Sequence, residues 1–559
     1  MIEINKEIME CDVLIAGGGI AGLMAGIAAA DKGAKVILCD KNDTRRSGSG
    51  ATGNDHFNCY IPEYHGDDTE TWLKEFRASM VGGYSDIKIQ RKFMERSFEV
   101  VQDWHEWGIN MKPHGFWEFN GHAMPNRMRV FLKYDGQNQK AVLTKEARKR
   151  GVIIQNKTPI TEFLVDDKGA ICGAVAITID KKEPQIKVFK SKVVISATGN
   201  TSRLYPADSV YNMFNSAHCP CNAGGGRAAA YKVGAKLVNL EIPNTHAGPK
   251  NFERCGKATW IGIIADSEGK PLGPFVTKPD KELGDVTADV WHGVFRENTE
   301  TGRGPVFMNC TETSPEDMAY MRWGLVCEGD TSLLDAMDKQ GIDLGKHMVE
   351  FTQYTPMLIG RGIQIDENGA TNVPGLYAAG DEVGNFRSDM AGAAVIGRFA
   401  GEEAAEYIKT CELVDKIDMD KVAELQELYS SFMDRKEGAQ WQELNAAVQQ
   451  TLDRYAGIKY VRSETMLNQG YKYLEDVKNN ALNELKCNNA HELMRALESF
   501  DLLLIGQLIC TTAKERKECR GMHKRAEYTY TNPLLDGMFL TIQKGENGDH
   551  IMEWRSEYK

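Results

Sequence analysis

The run Asp12-Val-Leu-Ile-Ala-Gly17-Gly18-Gly19-Ile-Ala-Gly22-Leu constrains this chain more than any other stretch. It is followed about twenty residues later by Val36-Ile-Leu-Cys-Asp40-Lys41, and the whole reads as strand, glycine turn, helix and second strand. Gly17 allows a tight turn, Gly19 lets backbone N–H groups approach a pyrophosphate at the positive helix N-terminus, and Gly22 allows close helix-on-strand packing. Asp40 then stands where a ribose hydroxyl needs an acceptor. The competing possibility is a buried or membrane-spanning helix, because residues 13 to 30 are almost uncharged. Three consecutive glycines in its middle, and the ionisable Asp12 at its start, argue against one continuous helix. The unit predicts a dinucleotide site and leaves NAD or FAD open.

At 559 residues the chain has room for about three or four domain-sized units. Its 79 Asp and Glu outweigh 67 Lys and Arg, a net charge of -12, so a nucleic-acid surface is not expected. Local basic clusters remain able to hold an anionic substrate. The 13 cysteines show no CxxC pair and no haem, cluster or zinc spacing, so no metal site is expected and the thiols should stay reduced. The acidic start, Met1-Ile-Glu-Ile-Asn-Lys-Glu-Ile-Met-Glu10, lacks the features of a signal peptide. A cytoplasmic protein without a membrane span is the resulting expectation.

Beyond the opening unit, residues 70 to 108 carry helical apolar spacing and end at Trp107-Gly108. Residues 152–157, 160–165 and 171–178 are short β-rich runs, with Asp166-Asp-Lys-Gly169 as a hairpin turn between the last two. Val193-Val-Ile-Ser-Ala197-Thr198-Gly199 reads as a buried strand ending in small residues. The Gly- and Pro-rich region from about 240 to 345 reads as an inserted domain, because Trp260, Trp291 and Phe307 need a core. Gly375-Leu-Tyr-Ala-Ala-Gly380-Asp381 restores the style of the first domain. Residues 418 to 515 are helical by pattern and free of proline, as in a bundle.

Taken in order, the Gly17 turn, the Val193–Gly199 strand, Val373-Pro-Gly-Leu-Tyr-Ala-Ala-Gly-Asp381 and Glu518-Cys-Arg520-Gly521-Met-His523-Lys-Arg525 resemble one family. It is the fumarate reductase and succinate dehydrogenase flavoprotein superfamily, which includes L-aspartate oxidase and the adenylylsulfate reductase flavoprotein subunit. The resemblance implies an α/β fold: a Rossmann-like FAD-binding domain interrupted by an α+β capping domain and followed by a helical domain. The corresponding boundaries are 1–235 and 346–412 for the FAD-binding domain, 236–345 for the cap, 413–515 for the helical domain and 516–559 for a C-terminal segment. It also decides for FAD, with Gly17, Gly19, Gly22, Asp40, Lys41, Ala197, Thr198, Gly199, Gly380 and Asp381 among its expected contacts.

Membrane-bound members attach FAD through a histidine after the second strand, and this chain reads Arg46-Ser47-Gly48 there. An alcohol cannot replace that imidazole, so non-covalent FAD is expected, with Ser47, Gly48, Thr52 and Gly53 beside it. Gly53-Asn-Asp-His-Phe-Asn58-Cys-Tyr60 resembles a flavin-proximal segment of adenylylsulfate reductase, which adds Asn58. The alternative for Asn58 and Tyr60 is an ordinary turn and core role.

Hydride transfer to an activated alkene needs a carboxylate clamp, polarisation of the acceptor and a proton donor. Leu240-Glu-Ile-Pro-Asn-Thr-His246 matches the segment ending in a substrate-binding histidine, and Gly384-Asn-Phe-Arg387-Ser matches one whose arginine clamps a carboxylate. Arg361 adds a cation at the expected flavin-facing turn, and Lys257 lies near the cap segment. His218, in Ser216-Ala-His218-Cys219-Pro-Cys221, resembles a histidine before the flavin turn. Cys219 and Cys221 have two readings, a redox pair or packing residues, since thiols one residue apart form a strained disulfide.

The departures from the family are as informative. Ala258 falls where the proton-donating arginine is expected, with Arg254 and Lys257 near but unaligned, and Met357 replaces a substrate histidine. Asn251 and Gly362 occupy the arginine and histidine places of adenylylsulfate reductase. The resemblance therefore implies an FAD-dependent oxidoreductase for a small anionic or polar substrate, using Arg387, His246, Arg361 and Lys257. Electrons would pass through a separate ferredoxin-like iron–sulfur subunit in a homo- or hetero-oligomer. The alternatives are flavin–sulfite chemistry, an L-aspartate-oxidase-like oxidase and a non-catalytic electron-transfer flavoprotein.

Overall fold

The computed structural model describes the chain except for Lys6 and residues 79–82, 120–127, 207–217, 251–259, 273–278, 282–293, 296–297, 299–300 and 557–559. Strand Met9–Ala16 lies between Val36–Cys39 and Gln185–Ser196, parallel to both, with Val13 opposite Val36 and Val193. Ile153–Gln155 extends the sheet beyond Val36–Cys39, while Ile171–Ile177 and Ile160–Val165 extend the other side as an antiparallel hairpin. Its turn follows the Asp166-Asp-Lys-Gly169 signal: Asp166 N–H donates to Ala170 O at 2.8 Å, and Gly169 adopts a φ of 78°. Leu376–Ala378 joins the sheet parallel to Gln185–Ser196, far along the chain from its partner. The unit built on the parallel sheet is thus left and re-entered.

Small residues decide how helices cover this sheet. Ile20–Asp31 crosses Asp389–Tyr407 so closely that a side chain at Gly397 would come within 2.4 Å of Ala21 O, and one at Gly401 within 2.2 Å of Ala25 O. The stretch from 70 to 108 forms two helices, Thr69–Ala78 and Ile87–Trp107, separated by the Gly83–Tyr84 turn and stopped by left-handed Gly108. The helical pattern holds on both sides of that turn, and the two glycines at 82 and 83 interrupt it in the sequence.

The cap has its own antiparallel sheet, ordered Ala247–Pro249, Val349–Gln353, Val306–Asn309 and Ile263–Ala265, under helices Pro315–Cys327 and Thr331–Lys339. Its core holds Trp260, Met321, Leu325 and Phe351, with Trp260 edge-on to Phe351 at 5.1 Å. Phe307 is half-buried, and Trp291 lies outside the described residues. Strand Val349–Gln353 carries the cap's sheet past residue 345, because it hydrogen bonds on both sides within it.

Four long helices, Met419–Asp434, Trp441–Ala456, Glu464–Glu484 and Ala490–Glu515, follow, with Asp418, Ser463 and Asn489 capping the first, third and fourth. Their core is continuous with that of the FAD-binding unit. The hairpin Met538–Lys544 and His550–Ser556 then returns to pair with Leu237–Val238, which also pairs with Gly362–Ile363. The C-terminal segment thus joins a four-stranded sheet with Leu237–Val238, at the entry to the cap, and Gly362–Ile363, after the exit from it. Among the described residues no helix is long and apolar enough to cross a membrane.

Candidate active site

A cavity enclosing about 1830 Å³, its open mouth included, lies at the carboxyl ends of the parallel strands. Gly17, Gly19, Asp40, Lys41, Ser47 and Gly48 form one stretch of its wall. Thr52, Gly53, Ala197, Thr198, Gly199, Gly380 and Asp381 form much of the rest. Gly22 stands behind the turn: a side chain there would sit 1.9 Å from Gly17 O. Gly17 has a φ of 106°, and its own added carbon would meet Ala197 O at 2.4 Å. At Gly19 an added carbon meets nothing within 4 Å, so this backbone faces open cavity.

The polar wall is internally bonded. Asp40 accepts from Gly18 N–H at 2.7 Å and from the Ser47 hydroxyl at 3.0 Å. Lys41 donates to Glu498 at 2.8 Å and to the Cys221 carbonyl. Glu498 belongs to helix Ala490–Glu515, whose Met494, Leu497 and Asp501 also line the cavity. Three cations, Lys41, Arg203 and Arg495, surround Glu498 and draw its pKa down to about 2 against the cost of burial. Asn58 lies apart from the cavity wall, buried, with neither amide atom hydrogen bonded among the described residues.

Arg227, not singled out by sequence, ties the loops together. Its fully buried guanidinium donates to Arg361 O at 2.8 Å, Gly199 O at 2.6 Å, Leu358 O at 3.2 Å and Asp381 O at 2.6 Å. Burial pushes its pKa down to about 10, partly offset by Glu382. Glu382 in turn accepts from Thr198 N–H at 3.0 Å and the Thr198 hydroxyl at 2.6 Å. Gly362 has no room for the histidine of a sulfite site, since an added carbon would sit 2.4 Å from Arg227 Nε.

The predicted substrate residues fall into two pairs. Arg361 and Arg387 are both buried and adjacent: a side chain at Gly360 would meet Arg387 Cβ at 2.7 Å. Arg387 Nε donates to Asp389 at 2.9 Å, and Asp389 lines the cavity. Arg361 lies over the Tyr84 ring at 4.3 Å and donates to Ile242 O at 3.0 Å and Gly360 O at 2.6 Å. Burial pushes its pKa down to about 10, and the Arg387 charge adds to the fall. In the second pair, His246 Nε2 lies 3.0 Å from His218 Nε2, and His218 lines the cavity. Arg387, Arg361 and His246 do not themselves line it. Met357 is buried, its sulfur 3.6 Å from the Asn200 amide, with its backbone paired to Asn244. Lys257, Arg254, Ala258 and Asn251 lie outside the described residues.

Asp55, His56 and Glu328 gather potential metal-ligand atoms within 4.8 Å of one another. Lys133 donates to Asp55 at 2.8 Å there, both side chains fully buried, so an ammonium already supplies the positive charge.

Residues 12–394 match the family model of the FAD binding domain, and residues 445–549 that of the fumarate reductase flavoprotein C-terminus. The chain belongs to the fumarate reductase and succinate dehydrogenase flavoprotein superfamily. It is 25% identical to one of the subunits of the CoM/CoB fumarate reductase of Methanothermobacter marburgensis, covering 97% of this chain and 99% of that one. It is 24% identical to the Escherichia coli fumarate reductase flavoprotein subunit, over 93% and 89% of the two chains. Among solved structures, adenylylsulfate reductase from Archaeoglobus fulgidus superposes with a TM-score of 0.84 at 20% identity, covering 99% of this chain and 97% of that one. Escherichia coli quinol fumarate reductase gives 0.81 at 20% identity, with the same coverage. This protein is accordingly an FAD-dependent oxidoreductase of that superfamily. The cavity fits FAD: the glycine turn leaves open space where a diphosphate needs approach, and small residues line both the Gly17 and Gly380 sides.

Proposed function

We propose that the chain is the FAD-carrying subunit of a reductase or dehydrogenase for a small anionic substrate, with non-covalent FAD and an iron–sulfur subunit exchanging its electrons. FAD supplies two-electron exchange when bound. The observation that carries the reading is the Arg361–Arg387 pair. Two guanidinium groups buried in each other's field raise one another's cost, and the nearby carboxylates Asp389 and Glu241 are bonded to Arg387 and Arg516. An anion between the arginines offsets that repulsion and is oriented by planar, bidentate donors. Asp389, which pairs with Arg387 and lines the cavity, links the arginine pair to the cavity wall. The His218–His246 contact lets one ring donate to the other, which gives a proton a path from the cap-side strand to the cavity.

Ser47 supports non-covalent binding, because its hydroxyl is held by Asp40 where covalent relatives carry an imidazole. The relatives named above as subunits, together with the lack of a cluster-binding cysteine pattern in this sequence, support a separate iron–sulfur partner. The many cysteines, free of disulfides among the described residues, fit a reducing, cytoplasmic setting. The test is anaerobic reoxidation of the reduced, FAD-loaded chain by a panel of small carboxylates. Arg387→Ala should slow reoxidation by the accepted substrate at least about 100-fold, or ~2.7 kcal/mol, at unchanged FAD content. Equal rates in both proteins would refute the clamp. Purification from the native source without an iron–sulfur protein would refute the partner.

A further inference from the structure

Cys219-Pro220-Cys221 forms the turn before helix Gly225–Lys232, and both cysteines line the cofactor cavity in part-exposed positions. Asn222 N–H donates to Cys219 O at 3.2 Å, so the cysteines are the first and third residues of a tight turn with proline second. Such a turn brings α-carbons two residues apart into roughly the 4.4–6.8 Å range that a disulfide spans. Each thiol acts on the ionisation of the other. Arg495 Nη2 lies 3.5 Å from Cys221 Sγ and is fixed on Glu498 at 2.8 Å. Glu498 also pairs with Lys41 and Arg203, so three cations gather around one carboxylate beside the sulfur.

The pair is polarised. The neighbouring Cys219 thiol, and next the Arg495 guanidinium, hold Cys221 well below the ordinary thiol range, whereas Cys221 and burial hold Cys219 above it. The buried cysteines behave oppositely: burial pushes Cys11, Cys487 and Cys510 up to about 12. One thiolate and one protonated thiol, adjacent and reachable from a cavity, form an attacking and resolving pair.

We propose that Cys219 and Cys221 form a redox-active thiol pair in the cofactor cavity wall, oxidised by a peroxide to a disulfide and restored by an external thiol. The Cys221 thiolate attacks one peroxide oxygen, the O–O bond breaks, and hydroxide leaves as Cys221 becomes a sulfenic acid. Cys219 sulfur then attacks that sulfur, the S–O bond breaks, and water leaves with the Cys219 proton. The sulfurs lose two electrons and the peroxide gains them. The short loop strains the bond, which makes it readily reducible and the change reversible. Oxidation also removes one of the two anionic partners of Arg495, leaving Glu498, at the wall that holds the cofactor.

The test treats the anaerobically purified, FAD-loaded chain with one equivalent of hydrogen peroxide at pH 6, followed by non-reducing proteolysis and mass spectrometry. The peptide containing Cys219 and Cys221 should lose two hydrogens, dithiothreitol should restore them, and the other cysteines should be unchanged. In Cys219→Ser, dimedone should trap a sulfenic acid at Cys221, and in Arg495→Gln oxidation should slow at least about tenfold. Unmodified Cys221 in the wild-type chain, or its conversion to sulfinic acid with no disulfide, overturns the proposal without recourse to any variant.

Discussion

Replacing Gly22 and Gly19 separately by alanine should divide the glycine turn into a packing role and a binding role. At Gly22 the new carbon would lie 1.9 Å from Gly17 O, where ordinary contact begins at 3.4 Å. The turn cannot retreat, because Gly17 already sits at a φ of 106° beneath Ala197 O. Relief requires moving the helix off the strand, and overpacking of this kind costs about 3 kcal/mol. At Gly19 nothing lies within 4 Å, so the cost to the cofactor-free protein is limited to helix capping, within about 1 kcal/mol. The methyl would instead occupy the space left for the diphosphate, and a loss of at least ~1.4 kcal/mol raises the FAD Kd about tenfold or more. Urea denaturation of the cofactor-free proteins and fluorescence titration with FAD measure the two quantities. Gly22→Ala should fail on both and Gly19→Ala on FAD alone. Wild-type FAD affinity in Gly19→Ala would refute the placement of the diphosphate at this turn.

Other consequences are equally direct. Arg227→Met should release FAD and lower stability by about 3–5 kcal/mol, because four carbonyls on three loops lose their donor; retention of FAD after gel filtration would contradict the tie. His523 is kept neutral by burial first and by Arg462 next, so its folded pKa lies well below 6.5. Below about pH 6.5 the unfolded chain takes up a proton that the folded chain refuses, and stability should fall by up to ~1.4 kcal/mol per pH unit. Urea midpoints from pH 7.5 to 5 should show this, and a slope unchanged in His523→Gln would argue against it. Acid precipitation should leave a colourless pellet and yellow supernatant; colour in the pellet would contradict non-covalent FAD.

The glycine turn was legible because its demands fall on single residues. Gly17 needs a positive φ and Gly22 needs the absence of a side chain, and both are visible in residue type. The hairpin at Asp166–Gly169 was legible for the same reason. Arg227 was not, since an arginine in an alanine-rich helix reads as surface. Its burial is imposed by Leu358, Arg361 and Asp381, more than a hundred residues away. Glu498 likewise reads as an exposed partner of Arg495 three positions earlier, yet Lys41 and Arg203 close over it from 457 and 295 residues away. The arginines proposed for the substrate, Arg361 and Arg387, rest on family resemblance. Their adjacency depends on how the turn at Gly360 meets the loop before Asp389–Tyr407, which no local pattern encodes.

Under the function proposed above, buried Arg361 and Arg387 make an anion site that the Arg387–Asp389 pair links to the flavin cavity. The most direct measurement is a titration of the oxidised, FAD-loaded chain with small carboxylates, followed in the flavin visible spectrum, for wild type and Arg361→Gln. At least one carboxylate should perturb the wild-type spectrum saturably, with a Kd at least about tenfold weaker in the variant, or ~1.4 kcal/mol. Equal affinity in the two proteins, or no perturbation by any carboxylate, would rule out the arginine site.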